Sequence, residues 1–145
     1  MQRELLAKQY LSKRLSTWQQ RLQLEGWKVS IVMSHRSDLR AGTLGNIHWD
    51  ADTKTAKIRV LDATDYPRPF QSALSDMEFT MVHELLHLEL AALPKNDDSR
   101  GDEEAAVNRM ATALLQLAPV RRYFLPIIVK FLLVRRPDDR HELRF

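Results

Sequence analysis

Two histidines four residues apart, His83 and His87, enclose a glutamate in the run His-Glu-Leu-Leu-His. On an α-helix this spacing puts both imidazoles on the same face, one turn apart, where they can reach one metal ion. Glu84 projects about 100° further round the helix, beside such an ion. Zinc lowers the pKa of its bound water to roughly 7, and a carboxylate beside it can take the proton. The run predicts a hydrolytic zinc site with Glu84 as its catalytic base.

The surrounding sequence predicts that this run lies inside a helix. Ser75 and Glu78 fit the S-x-x-E pattern of a capping box, and Pro94 follows the last apolar residues. We therefore predict a helix from near Ser75 to about Leu93. The competing interpretation is a core helix in which the histidines and Glu84 are only structural. Burial of a carboxylate without a functional partner would cost several kcal/mol, which favours the metal site.

Composition limits the class of protein. The 145 residues suffice for one domain, and a hydrophobic content of 44% is ordinary for a globular chain. Since there is no cysteine, a metal must be held by His, Asp or Glu. The first residues show no signal-peptide core, and the apolar run at 123–134 is too short to span a bilayer. We expect a cytoplasmic protein without a transmembrane segment. The net charge of +3 could assist binding to nucleic acid, but the arginines are spread along the chain, so nucleic acid is an unexpected partner and a nucleic-acid-associated protease is only a third possibility.

The segments before the site predict one helix and three strands. An apolar stripe of helical period predicts an amphipathic helix over residues 3–24, ended by Gly26. Alternating apolar and polar residues predict the strands, and turn residues between the last two predict a hairpin. The predicted strands cover 27–33, 43–49 and 55–61, with the turn at 50–53.

The second predicted strand is typical of a sheet edge, because it has few large apolar residues and carries Gly45 and Asn46. An edge beside a metal site can pair with the backbone of an extended peptide, which gives sequence-tolerant binding. A solvated edge with no partner is the alternative, and the residues support both equally.

One more helix is predicted after the motif helix. A proline-containing loop at 63–70 precedes the motif helix, and a turn-rich loop at 95–101 separates it from the last one. Ser99 or Asp98 can cap it, and acidic residues fill its first turn, where the helix dipole favours negative charge. Its predicted apolar stripe consists of Val107, Met110, Leu114 and Leu117, and Pro119 closes it.

A catalytic zinc usually has three protein ligands and one open position. Glu103 and Glu104 of the later helix are both in reach, and no histidine follows His87 before His141. Helical periodicity slightly favours Glu103, which lies nearer the centre of the apolar stripe. Acids in a first turn are as often present only for the dipole and the cap. The residues alone therefore leave the third ligand open.

From about residue 27 to 117 the chain resembles gluzincin metallopeptidases, especially the very small minigluzincins, in its order of elements around the motif. In gluzincins an Asp or Asn four residues after the ligand glutamate supports a zinc-bound histidine. Glu104 and Asn108 match this spacing, whereas Glu103 would place Val107 there. The resemblance thus implies Glu104 as the third zinc ligand and Asn108 as the supporting residue. The same Glu-x-x-x-Asn element is similar to that of phage antirepressor-type metalloproteases.

The predicted fold is a single α+β domain of the minimal zincin type over residues 1–119. It comprises an N-terminal helix, a three-stranded sheet, the active-site helix and the glutamate helix, followed by a C-terminal helical tail at 120–145. The resemblance implies a zinc metalloendopeptidase acting on peptide or protein substrates. Larger gluzincins add a His or Tyr that stabilises the transition state. The available donors are Tyr66, His48, Tyr123 and His141.

Because none of these donors is favoured by the sequence, the alternative function is a zinc-binding regulatory or interaction module that cleaves little. Some minigluzincins resemble zymogens whose C-terminal segment occupies the cleft. By that analogy His141 or Glu142 would fold back onto the zinc and inhibit the enzyme. A frayed terminus, or a peripheral membrane contact of the basic-flanked apolar tail, are the competing interpretations.

Overall fold

The computed structural model describes residues 2–93 and 100–117. This part of the chain forms three α-helices and one three-stranded sheet, with short 3-10 helices at Arg36–Asp38 and Ala63–Asp65. The order of helix, sheet and two helices confirms the predicted α+β class. The elements are α1 (Gln2–Arg21), β1 (Lys28–Ser34), β2 (Gly45–Asp50), β3 (Thr55–Leu61), α2 (Phe70–Leu90) and α3 (Arg100–Leu117). None of the helices described is long and apolar enough to cross a bilayer.

Strand β3 lies at the centre of the sheet. It pairs in parallel with β1, placing Val29 opposite Ala56, and antiparallel with β2, placing Ile47 opposite Ile58. A tight turn joins β2 to β3, and Lys54 takes a positive φ of 53° at its end. The predicted hairpin and the predicted edge position of β2 are both confirmed.

Helices α1 and α2 cover one face of the sheet. On β3 that face is formed by Ala56, Ile58 and Val60, which are buried as the predicted alternation required. The outer face carries Lys57 and the half-buried Arg59. The largest fully buried side chains include Leu11 and Trp18 of α1, Leu74, Met77, Met81 and Leu85 of α2, and Val107 of α3.

Helix α1 ends earlier than predicted, and not at Gly26. Gln23 adopts a left-handed conformation with φ of 56°, and its N–H donates to the carbonyl of Gln20. The N–H of Leu24 donates to the carbonyl of Gln19, which completes a Schellman motif. The residue that ends the helix is therefore Gln23, although glycine is the usual choice at this position.

The predicted start of the motif helix near Ser75 is wrong. Helix α2 begins at Phe70, directly after Pro69, whose carbonyl accepts the N–H of Ala73. A proline before the first turn loses no helical hydrogen bond, so it can introduce a helix as readily as end one. Ser75 is an interior residue whose hydroxyl donates to the carbonyl of Gln71. The helix also ends at Leu90, before the predicted Leu93.

Glu78, the second residue of the supposed capping box, is buried between α1 and α2. Its carboxylate accepts hydrogen bonds from the Tyr10 hydroxyl, from Arg14 Nε at 2.5 Å and from Trp18 Nε1 at 2.7 Å. Burial and the charge of Glu78 raise the pKa of Tyr10 well above its usual range, so its hydroxyl remains a donor. These polar contacts fix the position of α2 against α1.

Helix α3 packs through Val107 and Ala111, which are fully buried. Leu117 is 83% exposed, so its predicted place in the apolar stripe is wrong. Leu117 follows Val107 by ten residues, and its side chain therefore points about 80° away from that of Val107 around the helix axis. This rotation takes Leu117 off the buried face. Several predictions concern residues outside the described part of the chain. These are the helix caps Asp98 and Ser99, the helix ends Pro94 and Pro119, and the tail from residue 120 onward.

Candidate metal centre

Helices α2 and α3 bring three potential ligand side chains together. One nitrogen each of His83 and His87 and one oxygen of Glu104 all lie within 4.8 Å of one another. The two Nε2 atoms are 3.0 Å apart, and Glu104 Oε1 lies 3.0 Å from His87 Nε2. Glu104 Oε2 lies 3.3 Å from His83 Nε2. The four-residue spacing on α2 and the first turn of α3 therefore converge on one point.

The other nitrogen of each imidazole has its own partner on α3. His83 Nδ1 lies 3.0 Å from Asn108 Oδ1, and His87 Nδ1 lies 3.2 Å from Glu103 Oε1. In the tautomer with the proton on Nδ1, each ring donates to this oxygen, because amide and carboxylate oxygens only accept. In a neutral imidazole this leaves the lone pair on Nε2, the atom that faces Glu104.

The donor set fits a zinc ion. Two imidazole nitrogens and a carboxylate are typical ligands of a catalytic zinc, and a chain without cysteine offers no thiolate. Bonds of about 2.0–2.1 Å in a tetrahedron separate neighbouring ligand atoms by about 3.3 Å. The two Nε2 atoms are 3.0 Å apart, and each lies 3.0 to 3.3 Å from its nearer Glu104 oxygen, which is close to that value. The two contacts to Glu104 use different oxygens, and ligand atoms taken one from each residue lie within 4.8 Å of one another. In the tautomer with the proton on Nδ1, two lone pairs face each other across 3.0 Å, an arrangement that a cation stabilises.

Burial favours the neutral form of the first histidine. It lowers the pKa of His83, and the neighbouring His87 lowers it further. Only a neutral imidazole offers a lone pair to a metal, so this shift favours the form that can bind zinc. The Asn108 amide, which accepts from Nδ1, holds the ring in the required orientation.

Glu84 lies on the same helix beside this cluster and lines the same cleft. It is 8% exposed, and burial, together with the charge of Glu104, raises its pKa to about 7. A carboxylate in this range can both accept and release a proton near neutral pH. Its side chain has the chemistry of a general base and general acid.

The two adjacent glutamates of α3 occupy different places. Glu104, which is 56% exposed, approaches both Nε2 atoms, whereas the more buried Glu103 contacts Nδ1 of His87. The contact of Glu103 was not predicted from the sequence, which considered this residue only as an alternative ligand. No sequence motif marks a residue that contacts the Nδ1 nitrogen of His87.

A cleft of about 1180 Å³ runs between β2, α2 and the start of α3. Besides the cluster, its walls include Ile47 and Trp49 of β2, Phe79 of α2 and Arg40 of the loop before β2. Trp49 is 41% exposed. The cleft is thus lined by an acidic, histidine-rich cluster and by apolar side chains of β2 and α2. The sequence predicted the strand of Ile47 and Trp49 as a possible substrate-binding edge beside the site, but it did not predict that Arg40 or Phe79 lines the cleft.

The edge of strand β2 that faces away from β3 borders the cleft. The carbonyl of Leu44 accepts from the N–H of Leu61, and in the antiparallel register every second residue from there is hydrogen-bonded to β3. The N–H and C=O groups of Gly45, Ile47 and Trp49 therefore point the other way. Among the described residues no strand pairs with that edge.

Gly45 allows β2 to lie this close to α2. A Cβ at this position would be 2.4 Å from Thr80 Cγ2 and 2.6 Å from the backbone oxygen of Arg59. Thr80 precedes His83 by less than one turn of α2. The absence of a side chain at Gly45 thus sets the distance between the strand edge and the helix of the motif.

Two of the predicted transition-state donors do not line the cleft. Tyr66 is buried against the helices, and burial raises its pKa to about 12. His48 alternates with Ile47 and Trp49 and so projects from the other face of β2. The remaining two donors, Tyr123 and His141, lie outside the described residues.

Comparisons with protein-family models, with curated proteins and with solved structures found no match for this chain.

Proposed function

We propose that this protein is a zinc-dependent endopeptidase. The observation that carries the proposal is the convergence of His83, His87 and Glu104 on one point, next to the buried carboxylate of Glu84. Hydrolysis of a peptide bond requires an activated water, a group that moves its proton and a surface that holds an extended backbone. The cleft contains candidates for each of these parts.

His83, His87 and Glu104 would hold the zinc through Nε2, Nε2 and a carboxylate oxygen. Asn108 and Glu103 would orient the two imidazoles through the hydrogen bonds at Nδ1. When bound, zinc supplies a Lewis acid that makes water more acidic and polarises the carbonyl of the scissile bond. These proposed roles agree with the resemblance to gluzincins, in which the ligand glutamate and the supporting Asp or Asn are four residues apart, as Glu104 and Asn108 are.

Glu84 would move the proton. Its carboxylate oxygen would accept a proton from the attacking water and then donate it to the nitrogen of the leaving amine. The low exposure of Glu84 restricts competing water, so the proton passes between the reacting groups.

The free edge of β2 would hold the substrate. The outward N–H and C=O groups of Gly45, Ile47 and Trp49 can pair with an extended peptide, which contributes affinity with little dependence on sequence. The substrate class that fits this surface is an unfolded or loosely structured polypeptide. A cytoplasmic location remains a prediction from composition.

Metal analysis and a peptidase assay on the full chain test the proposal. We expect about one zinc per wild-type chain and none in His83→Ala, with hydrolysis of unfolded casein that a chelator abolishes. Glu84→Gln should retain zinc but lose about 10²-fold or more of kcat/KM. Glu89→Gln, which changes an exposed residue of the same helix, is the matched control and should behave as wild type. Zinc-free wild-type protein, or equal activity in Glu84→Gln, would contradict the proposal.

The second candidate function is a zinc-binding regulatory module that cleaves little. One observation favours it: among the described residues that line the cleft, no Tyr or His remains besides the two ligand histidines. The same variants separate the two functions. If wild type and Glu84→Gln both bind zinc and are equally inert on casein, the module is the better description.

A further inference from the structure

The cleft carries one basic side chain among its described lining residues, Arg40. Three carboxylates, those of Glu84, Glu103 and Glu104, line the wall that holds the histidines. Arg40 is exposed, and its guanidinium forms no ion pair with any described residue. A charge that lines the proposed substrate cleft and has no ion-pair partner among the described residues is available to a ligand.

The loop before β2 fixes the backbone from which this side chain extends. The N–H of Thr43 donates to the Arg40 carbonyl at 3.0 Å, and the Thr43 hydroxyl donates to the same oxygen at 2.7 Å. Gly42 takes a φ of 81° inside this turn, and Leu39 is buried at its start. The turn therefore holds the base of Arg40 at the end of the cleft where β2 begins.

We propose that Arg40 binds a carboxylate of the peptide substrate, so that the enzyme prefers acidic peptides. The inference rests on the proposed peptidase function. A guanidinium matches a carboxylate through two parallel hydrogen bonds, and such a charge-assisted pair discriminates strongly against a neutral amide. An extended peptide paired with β2 passes the end of the strand at Gly45, toward Arg40. The carboxylate comes from an Asp or Glu side chain or from the peptide's C-terminus.

Fluorogenic peptides of one common sequence test this preference. Glu, Gln or Lys is placed at each position on either side of the scissile bond, and a peptide without acidic side chains is made as the C-terminal acid and as the amide. At one position, or for the free C-terminus, we expect kcat/KM to be about tenfold to a hundredfold higher with the carboxylate than with the amide. The position of the effect identifies the source of the carboxylate.

Charge reversal assigns the preference to Arg40. In Arg40→Glu the carboxylate preference should disappear and the Lys peptide should become the better substrate, while zinc content stays unchanged. The matched control is Arg109→Glu, an equal charge change at an exposed residue of α3 outside the cleft, which should keep the wild-type preference. A wild-type enzyme that cleaves all peptides alike overturns the inference. So does an Arg40→Ala variant that lowers kcat equally for every peptide, because that result indicates a role in the transition state.

A binding experiment distinguishes failure of this inference from failure of the proposed peptidase function. If the zinc-loaded protein cleaves none of the peptides, the same peptides are titrated by fluorescence anisotropy. Tighter binding of the carboxylate peptide, lost in Arg40→Glu, supports the inference even though hydrolysis is absent. Equal binding of the carboxylate and amide peptides, or no binding of either, overturns it.

Discussion

The hydrogen bond at each Nδ1 decides what the histidine pair can bind. With its proton on Nδ1, His83 donates to Asn108 and His87 donates to Glu103. Both Nε2 lone pairs are then free on the side where Glu104 lies. At the residue scale, the site is therefore defined as much by the two outer partners as by the three potential ligands.

Alanine substitutions separate the roles of the two adjacent glutamates. If the site holds zinc as proposed, we expect Glu104→Ala to lose it under conditions that load the wild-type protein, because a proposed ligand is removed. Glu103→Ala should weaken zinc binding by about 10- to 100-fold, because only the orientation and basicity of His87 change. Competition with a chromophoric chelator measures both affinities, and Asp102→Ala, an exposed acid of the same turn, is the control. If Glu103→Ala lost more zinc affinity than Glu104→Ala, Glu103 would be the ligand and Glu104 the residue that orients a histidine.

The sequence predicted the histidine pair and Glu84 through their spacing, and it placed Asn108 through the family resemblance. It could not choose between Glu103 and Glu104 from the residues alone. Adjacent helical residues differ in direction by about 100°, so the choice depends on how α3 is rotated about its axis. That rotation is set by the packing of Val107 and Ala111 against the core, which only the three-dimensional structure describes.

Tyr66 provides a test of burial at the residue scale. Its pKa is raised from 10.0 to about 12 in the folded protein, while in the unfolded chain the phenol titrates near its ordinary value. The contribution of Tyr66 to stability is therefore complete below pH 10 and is lost as the pH rises toward 12, by on the order of 2 kcal/mol. Urea unfolding at about pH 9 and about pH 11.5 should show this loss in wild type relative to Tyr66→Phe. Equal pH dependence in both proteins would contradict it.

At the scale of elements, patterns of apolar residues predicted which segments are helices and strands, and the errors fall at the ends. Helix α1 ends because Gln23 adopts a left-handed conformation. Glutamine has no particular preference for that conformation, so the residue type did not predict the end. Helix α2 starts at Phe70, whereas the S-x-x-E pattern at Ser75 suggested a later start. The ends of a helix depend on single backbone angles and hydrogen bonds, whereas a stripe of apolar residues reflects many positions. An apolar stripe therefore predicts the presence of a helix more reliably than capping residues predict its ends.

Gly45 offers a test of the contact between β2 and α2. In Gly45→Ala the new methyl group would meet Thr80 Cγ2 and the backbone oxygen of Arg59, and a backbone atom cannot move aside without moving β3. We expect a loss of about 1–3 kcal/mol of unfolding free energy in urea denaturation. Gly26→Ala is the matched control, since nothing lies within 4 Å of a Cβ at that position. If the two variants are equally stable, the close approach of strand and helix is not as tight as described.

At the scale of the whole molecule, a buried carboxylate joins helices that are far apart in the sequence. Glu78 of α2 accepts hydrogen bonds from Tyr10, Arg14 and Trp18 of α1. The sequence could not predict this cluster, because the partners lie 60 to 68 residues away and Glu78 also fitted a local capping pattern. The α+β class, by contrast, was predicted correctly, because it depends only on the order of elements.

Removal of Glu78 should destabilise the whole domain. In Glu78→Ala the buried guanidinium of Arg14 loses its carboxylate partner, which typically costs about 3–5 kcal/mol. Glu89→Ala, at an exposed position of the same helix, should leave the urea midpoint nearly unchanged. The double variant Arg14→Met with Glu78→Leu should recover part of the loss, because neither charge is then buried. A Glu78→Ala protein as stable as wild type would show that the cluster is not needed to hold α2 on α1.

The free edge of β2 has a consequence for any protein that this domain would cleave. Six residues of strand span about 20 Å, and a chain that pairs along this length must first release the same backbone groups from its own secondary structure. The cleavage rate is then proportional to the fraction of target molecules in which the segment is locally unfolded. A segment whose local unfolding costs about 1.4 kcal/mol more is therefore cleaved about tenfold more slowly. Selection among target proteins would then depend first on their local stability and only second on the residues around the cleavage site.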